Sequence, residues 1–163
     1  MSGMPFGKIR AYKPYGLATY SDGGLRTSVS QLSHFLAAIM NGGVHHGRRI
    51  LQPKTVKKML QVQSLNTMSN LPSLTEEGHH TLSFGVRSLE EYNLKGTIFG
   101  HSGNDPGTRT FMYFDQSRKI GVIIFRNSDV ENNKIAKEMR HLIGYLFAHN
   151  HQFFNELPIN QTE

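Results

Sequence analysis

The sequence contains no cysteine and has no long apolar run. Without cysteine, disulfides, thiol nucleophiles and thiolate metal sites are all excluded, and the redox compartment is left undecided. No apolar run reaches the roughly 20 residues that a membrane-spanning helix needs. Residues 1–8 lack the apolar segment of a signal peptide. We therefore expect a soluble chain with no membrane span, whose localisation the sequence leaves open.

Acidic residues are scarce in the first part of the chain. Residues 1–60 hold nine Lys or Arg and one acid, Asp22, whereas residues 61–163 hold nine basic and eleven acidic residues. A basic face can attract nucleic acid, but no basic segment alternates with aromatic residues and no nucleic-acid motif is present. We expect no nucleic-acid binding. The length of 163 residues and the hydrophobic fraction of 37% favour one globular domain.

A helix is predicted to begin near Ser28. Ser28 and Gln31 match a capping box, in which the two side chains satisfy two backbone amides at the start of a helix. An apolar stripe at helical spacing follows. It comprises Val29, Leu32, Phe35, Leu36 and Ile39. After this helix we expect a hairpin or loop over residues 44–49, a short helix from Pro53 to about Gln61, and a surface loop over residues 64–80.

Antiparallel strands are predicted for the second half. Residues 82–89 alternate in character, and so do residues 108–115. A turn at residues 116–119 separates the latter from residues 120–126, which are apolar at nearly every position and so suit a strand covered on both faces. The alternation in the first of these strands places three side chains on one face. They are Leu82, Phe84 and Val86.

A final helix is predicted after the last strand. Ser128 or Asp129 is expected to cap it. Its apolar stripe comprises Ile135, Met139, Leu142, Ile143, Leu146 and Phe147. The residues beyond His149 are expected to form a polar tail.

The segment at residues 100–107 combines glycines with chemically active side chains. It follows a short β-favouring run at residues 97–99, and we expect a strand that leads into a turn and then a second strand. Its three glycines allow the backbone to turn sharply or a ligand to come close. His101 and Ser102 would then lie at the mouth of a sheet. The alternative interpretation is a glycine-rich connection with an incidental histidine.

Taken in order, several short segments resemble the C-terminal half of the serine β-lactamase-like superfamily. This superfamily includes class C β-lactamases, penicillin-binding proteins, D-amino-acid peptidases and related esterases. The resemblance extends from about Tyr15 to Phe147. The segments are Gly23-Gly24-Leu25-Arg26-Thr27-Ser28, Asn41-Gly42-Gly43, Arg49-Ile50-Leu51, Phe84-Gly85-Val86, Gly100-His101-Ser102-Gly103 with Gly107, Gly121-Val122-Ile123 and Asn127.

The resemblance implies an α+β fold, namely the C-terminal half of the β-lactamase/transpeptidase-like fold. An antiparallel sheet of three to four strands would pack with a C-terminal helix and two shorter upstream helices. Residues 1–163 would form a single, incomplete β-lactamase-like domain. Its parts would be a loop and helical part at 15–80, strands carrying the His-Ser-Gly motif at 81–127, the C-terminal helix at 129–150 and a tail at 151–163.

The superfamily mechanism acylates the serine of a Ser-x-x-Lys motif, with help from a Tyr-x-Asn motif and a Lys/His-x-Gly motif on a strand. His101-Ser102-Gly103 matches the third motif in its His form. The resemblance implies a catalytic role for His101, through a hydrogen bond or positive charge, and substrate binding by Ser102, Gly103 and Asn104. The backbone amide of Asn104 corresponds to one of the two donors that stabilise the developing oxyanion.

The other two motifs are missing from the sequence. No serine precedes any lysine by three positions, and no tyrosine precedes an asparagine by two. Thr55-Val56-Lys57-Lys58 comes nearest, on a helix where the superfamily keeps no nucleophile. We therefore expect the C-terminal portion of a serine hydrolase that acts on β-lactam, D-peptide or ester bonds, inactive by itself.

Two alternatives remain open. The chain could be a non-catalytic module that keeps the pocket wall and binds a small-molecule or peptide ligand. It could also be a different hydrolase with His101 as base. The candidate nucleophiles would then be Ser21, Ser28 and Ser102.

The apolar strand at residues 120–126 also predicts a partner. In the superfamily an N-terminal strand pairs beside it, so here it would be an exposed edge. The chain is therefore expected to pair with a second copy or with a separately supplied N-terminal half, or to be marginally folded alone. Superfamily members are often found in the bacterial cell envelope.

The positions of the histidines in the sequence do not indicate a metal site. His45-His46 and His79-His80 fall in loops, and His149 and His151 fall near the C-terminus. Adjacent histidines point apart on most backbones, and no carboxylate stands at ligand spacing. We therefore predict no metal and no cofactor.

Overall fold

The structure is a computed structural model that describes residues 16, 23–63 and 79–156. In these ranges it contains three α-helices and seven strands, which confirms the α+β class. In chain order they are α1 (Val29–Met40), β1 (Val44–His45), β2 (Arg48–Arg49), α2 (Pro53–Met59), β3 (His79–His80), β4 (Gly85–Ser88), β5 (Thr97–Asp105), β6 (Thr108–Asp115), β7 (Ile120–Arg126) and α3 (Asn133–Glu156). A short 3-10 helix, Leu89–Tyr92, links β4 to β5.

Strands β3 to β7 form one antiparallel sheet in which spatial order follows chain order. The four longer strands are those expected, and the two-residue β3 extends the sheet at one edge. Strands β5 and β6 are joined by the two-residue turn Pro106-Gly107. Gly107 has a φ of 78°, as the second central position of a type II turn requires. Short connections of this kind keep consecutive strands side by side.

Helices α1 and α3 pack on opposite faces of this sheet, so two cores form. Tyr113 belongs to one core and Phe114 to the other, because successive strand residues point to opposite faces. The core on the α1 face contains Leu36, Ile39, Val56, Phe84 and Phe114. The core on the α3 face contains Leu89, Tyr92, Ile98, Phe111, Tyr113, Ile120, Val122, Ile143 and Phe147.

Strand β7 has apolar residues on both faces, as its sequence predicted. Val122 belongs to the α3 core, and Ile123 packs against the α1 core. Gly121 allows α1 to come close, because an added Cβ would lie 2.7 Å from Leu36 Cδ2. In the described part of the sheet β7 pairs only with β6 and so is an edge strand.

Helix α1 begins at the predicted cap but is buried less widely than predicted. Ser28 Oγ accepts a hydrogen bond from the Gln31 backbone N–H at 3.1 Å. The reciprocal half of the capping box is replaced by a bond from Thr27 Oγ1 to the Gln31 side-chain oxygen. Val29 and Phe35 are 41% and 40% exposed. Of the predicted stripe, only Leu36 and Ile39 are fully buried.

Helix α3 begins later than predicted. Asn132 is the cap, since its Oδ1 accepts from the Ile135 backbone N–H at 3.0 Å. The predicted caps fail because the Arg126 guanidinium donates to the backbone oxygens of Ser128 and Val130. These bonds hold the residues after β7 in a non-helical connection. The helix then extends through Glu156, beyond the predicted end at 150 and into the predicted tail.

The first long strand also begins later than predicted. Thr81 Oγ1 accepts from the Phe84 backbone N–H at 2.9 Å, so residues 81–84 form a turn, and β4 starts at Gly85. Phe84 is buried as expected, but Leu82 is 56% exposed. The loop predicted for residues 64–80 is wrong at its end, because His79 and His80 pair with β4 as strand β3. Residues 64–78 of that loop and the last part of the predicted tail, 157–163, lie outside the described residues.

Within the described ranges, no helix combines the length and the apolar character needed to cross a bilayer.

Candidate functional site

The His-Ser-Gly motif lies within strand β5 and not in a turn. Strand β5 continues to Asp105, and its residues pair in register with β6 from Phe99↔Phe114 to Asp105↔Thr108. The turn expected around the motif is instead confined to Pro106-Gly107. The motif is therefore held by a continuous ladder of hydrogen bonds, which fixes its backbone more firmly than a loop would.

The other edge of β5 is open where the motif begins. Strand β4 pairs with β5 from Ser88↔Thr97 to Gly85↔Gly100 and no further. Over the residues that the structure describes, His101 to Asp105 therefore have a strand partner on one side only. An open edge presents backbone N–H and C=O groups to which an extended ligand can add as a strand.

Two glycines of the motif region have a packing reason for being glycine. An added Cβ on Gly100 would overlap the Met112 backbone oxygen and lie 2.6 Å from Tyr113 Cα. One on Gly103 would overlap the Thr110 hydroxyl. Both contacts are to β6, so these glycines let the two strands approach each other. A role in admitting a ligand is not needed to explain them.

His101 and Ser102 point to opposite faces of the sheet. His101 stands opposite Met112 on the α1 face, and Ser102 stands opposite Phe111 on the α3 face. Both side chains are exposed. His101 Nδ1 lies 2.7 Å from the Ser102 backbone oxygen. Because a carbonyl can only accept, Nδ1 carries the proton, and Nε2 is left as the basic nitrogen of the ring.

This arrangement does not pair His101 with Ser102 or Ser28, two of the candidate nucleophiles of the alternative hydrolase. The ring contacts the Ser102 carbonyl, and the Ser102 hydroxyl lies on the other face of the sheet. Ser28 Oγ is engaged as the cap of α1. Ser21 lies outside the described residues. No nucleophile and base pair of the kind that hydrolysis requires is therefore formed by His101 with either described serine.

A cavity of about 230 Å³ lies beside the motif on the α3 face. Ser102 and Asn104 reach it from β5, and Arg109 reaches it from β6, opposite Asn104. Its remaining lining is Gly103, Thr110, Phe111, Ile124, Arg126, Glu131, Met139 and Ile143. His101 does not line it. The cavity therefore gathers three of the four predicted site residues with charged side chains that the sequence did not reveal.

The charges in this cavity are unequally paired. Arg126 Nη2 lies 3.0 Å from Glu131 Oε2, whereas Arg109 Nε lies 3.6 Å from the same oxygen. Two guanidinium groups thus share one carboxylate, which leaves a net positive charge. Arg109 could have been anticipated, because the two-residue turn places it opposite Asn104. Glu131 could not, since it follows the sheet in a connection with no periodic pattern.

Three histidines meet at a separate place, between α1 and the β1–β2 hairpin. His34 Nδ1 lies 2.7 Å from His45 Nε2, and the His45 and His46 ring centroids are 4.1 Å apart. The expectation that adjacent histidines point apart is wrong for this pair. Partial burial, and then the His46 and His34 rings, lower the pKa of His45.

Comparison with known proteins gives one match. A family model described as Beta-lactamase matches residues 2–144. No curated protein and no solved structure matches the chain. The matched residues include all seven strands described above and the first half of α3, and they carry the ordered segments on which the resemblance rests. The chain belongs to the Beta-lactamase family, and with it to a superfamily of serine hydrolase-like proteins.

Proposed function

We propose that this chain is the C-terminal portion of a β-lactamase-like serine hydrolase and forms one wall of its acyl-transfer site. A segment carrying Ser-x-x-Lys and Tyr-x-Asn would supply the nucleophile and the base. The substrate would be a β-lactam, a D-peptide or an ester. The observation that carries the proposal is the His-Ser-Gly motif on the open edge of β5, in a chain of the Beta-lactamase family.

Each motif residue has a proposed role. His101 would act from the α1 side, where its exposed ring offers Nε2 to a proton. Ser102 would hold a substrate carboxylate or amide through its hydroxyl. Gly103 would allow the substrate backbone to lie along the strand edge. The backbone N–H of Asn104 would donate to the oxyanion, an interaction typically worth a few kcal/mol in the transition state.

The proposal predicts binding without acylation when the chain is alone. We expect an acetylated D-alanyl-D-alanine peptide to shift the amide NMR signals of His101 to Asn104, and a fluorescent penicillin to leave no covalent label. Ser102→Ala should weaken the binding, and Ser33→Ala, an exposed serine on α1, should not. Stoichiometric labelling by the penicillin would contradict the proposal, and so would shifts confined to other strands.

The edge of β7 is the proposed contact with the missing part of the domain. Both faces of this strand are covered, by α1 and α3, but its backbone is paired only with β6 in the described sheet. We propose that an N-terminal strand of the same fold adds here, completing the single domain of which residues 1–163 are one part. Self-association through the same edge is the competing outcome.

Co-expression with the coding segment immediately upstream tests this contact. The expected result is a one-to-one complex that hydrolyses a chromogenic ester or β-lactam, while the chain alone does not. Size-exclusion chromatography with light scattering should show either this complex or, without the segment, a dimer. A stable monomer that does not bind the upstream segment would overturn the proposal.

A second function is supported by the cavity on the α3 face. Ser102, Asn104 and the partly paired Arg109 are a suitable group for an acyl-amide with a carboxylate. A non-catalytic binding module would use this cavity with no second segment. This function would be favoured over the first if the chain alone bound the ligand with full affinity. Adding the upstream segment should then leave the affinity unchanged and cause no turnover.

A further inference from the structure

The three-histidine cluster is built from two separate elements. His34 lies on the exposed side of α1, His45 ends β1, and His46 is the first residue of the turn that follows. One ring nitrogen from each histidine can be chosen such that all three nitrogens lie within 4.8 Å of one another. The His34 ring centroid lies 4.8 Å from that of His45 and 6.1 Å from that of His46. The three side chains thus converge on one point.

The hairpin turn explains why the adjacent histidines converge. His45 pairs with Arg48, so His46 and Gly47 form a two-residue turn. Their φ angles are 47° and 72°, the positive values that a type I′ turn requires at both central positions. Asn and Gly are usual there, and a left-handed His costs about 1 kcal/mol or more. The turn carries the His46 ring round to the side of His45.

The hairpin is fixed against the end of α1, so the cluster is preorganised. The Gly43 backbone oxygen accepts from the Ile50 backbone N–H at 2.9 Å. Arg49 Nη1 donates to the Gly42 and Leu51 backbone oxygens at 3.0 Å and 2.8 Å. Gly43 itself packs on Leu51 so closely that a Cβ would overlap its backbone oxygen. Ligands held by fixed elements lose little freedom when they bind an ion.

We propose that His34, His45 and His46 form a binding site for a divalent transition-metal ion of the class of Zn²⁺, Ni²⁺ and Cu²⁺. Three imidazole nitrogens suit these ions, whereas Mg²⁺ and Ca²⁺ prefer oxygen ligands. Water would complete the coordination shell, because two of the rings are exposed. The site is distinct from the His-Ser-Gly motif, and the proposal does not depend on the proposed hydrolase function.

The present geometry needs a small adjustment to hold an ion. His34 Nδ1 and His45 Nε2 are 2.7 Å apart and share a proton in a hydrogen bond. A tetrahedral ion with metal–nitrogen distances of about 2.0–2.1 Å separates its nitrogens by roughly 3.3 Å. Small rotations of the two rings increase the nitrogen–nitrogen distance by this amount. The shared proton leaves the donating nitrogen, and through solvent the ring takes one up at its other nitrogen, so each imidazole binds as a neutral ligand.

The charge around the cluster limits which ligands can complete the site. The cluster borders a groove of about 520 Å³ that also contains Lys119. Among the described residues that line this groove there is no carboxylate. The ion would therefore keep its positive charge, and an exchangeable anion such as chloride or a ligand carboxylate would be attracted to the open positions.

Calorimetric titration of the full chain with Ni²⁺ tests the site. We expect one ion per chain, with affinity reduced roughly tenfold or more in His34→Ala and in His45→Ala. The control His141→Ala, which removes an exposed histidine of α3, should bind as the parent does. No binding would overturn the proposal. Equal binding by the His34, His45 and His141 variants would also overturn it, by assigning the ion to other histidines.

A second variant separates metal binding from a structural role of the turn. Asn favours the left-handed conformation at this turn position, so His46→Asn should raise the melting temperature of the metal-free chain. The same variant should lose the further rise that Zn²⁺ gives the parent, because an ion that binds only the folded state stabilises it. An unchanged Zn²⁺-induced rise in His46→Asn would refute His46 as a ligand.

Discussion

Gly100 on β5 packs directly on the backbone of Tyr113 on β6, where an added Cβ would lie 2.6 Å from Tyr113 Cα and overlap the Met112 backbone oxygen. A backbone contact cannot yield as the end of a flexible side chain can. Gly100 is also the last residue that β4 pairs with, so the close contact lies where the open edge of β5 begins.

Gly100→Ala should therefore destabilise the chain by about 2–3 kcal/mol, since β5 and β6 must separate to admit the methyl group. Gly16→Ala is the matched control, because an added Cβ there meets none of the described residues within 4 Å. Urea unfolding of the two variants measures the difference. Equal midpoints would show that the strands do not approach each other as described.

The turn between β6 and β7 depends on a buried carboxylate. Asp115 is 1% exposed, and its Oδ1 accepts from the backbone N–H groups of Ser117 and Arg118 at 2.8 Å and 3.1 Å. Arg118 Nε lies 3.1 Å from Oδ2. Asp115→Ala should lower the free energy of unfolding by about 2–3 kcal/mol, because charged hydrogen bonds are lost and donors are left unpaired.

Asp115→Asn separates the two parts of this effect. The amide oxygen can still accept from the turn, but the ion pair with Arg118 is lost. We expect a loss of stability smaller than that of the alanine variant, measured by denaturant unfolding. Equal losses in the two variants would mean that the turn bonds contribute nothing and that the ion pair alone holds the turn.

Much of the fold follows from local sequence patterns. The Ser28 cap, the Pro106-Gly107 turn and the apolar run of β7 all depend on neighbours within a few residues, and all were predictable in type. The start of α3 was not, because Arg126 reaches forward to the backbone of Ser128 and Val130. A side chain that holds a later segment out of a helix leaves no periodic signal.

The candidate sites also combine features that local sequence predicts with features that depend on distant residues. The His-Ser-Gly motif could be read from the sequence, but its glycines suggested a turn, and only the strand register explains them by contact with Thr110 and Tyr113. The metal cluster requires His34 to meet His45 across the end of a helix. It also requires a positive φ at His46, a conformation that is uncommon for residues other than glycine. Neither condition can be inferred from spacing.

Tyr92 gives the chain a predicted sensitivity to high pH. Burial, together with the neighbouring Glu91, raises the pKa of Tyr92 to about 12. An unfolded tyrosine ionises near pH 10, so the unfolded state loses its proton first and the folded state is penalised. The stability that Tyr92 contributes is complete below about pH 10 and declines as pH rises towards about 12.

Urea midpoints measured from about pH 9 to about pH 12 should therefore fall in the parent and fall less in Tyr92→Phe. Tyr145→Phe is the control, because Tyr145 is 49% exposed on α3 and should leave the pH dependence of the parent unchanged. If the Tyr92 and Tyr145 variants followed the same curve, burial of the Tyr92 hydroxyl would not be the cause.

Arg109 and Arg126 share Glu131, but they should respond differently to substitution. Arg126 bonds to two backbone oxygens as well as to Glu131, so Arg126→Ala should lower the melting temperature. Arg109 makes the longer contact, 3.6 Å from Glu131 Oε2, and lines the cavity beside Ser102 and Asn104. Arg109→Ala should change stability little and instead weaken binding of a ligand carboxylate.

Calorimetry with the acetylated D-alanyl-D-alanine peptide measures this second effect. A charge-assisted hydrogen bond in a partly closed cavity predicts a loss of roughly tenfold in affinity for Arg109→Ala. The amide of the same peptide, which lacks the carboxylate, should bind the parent and the variant equally. Arg140→Ala, an exposed arginine of α3, controls for net charge. If Arg109→Ala and Arg140→Ala weakened peptide binding alike, long-range attraction by the basic chain would explain it, and Arg109 would have no direct contact with the ligand.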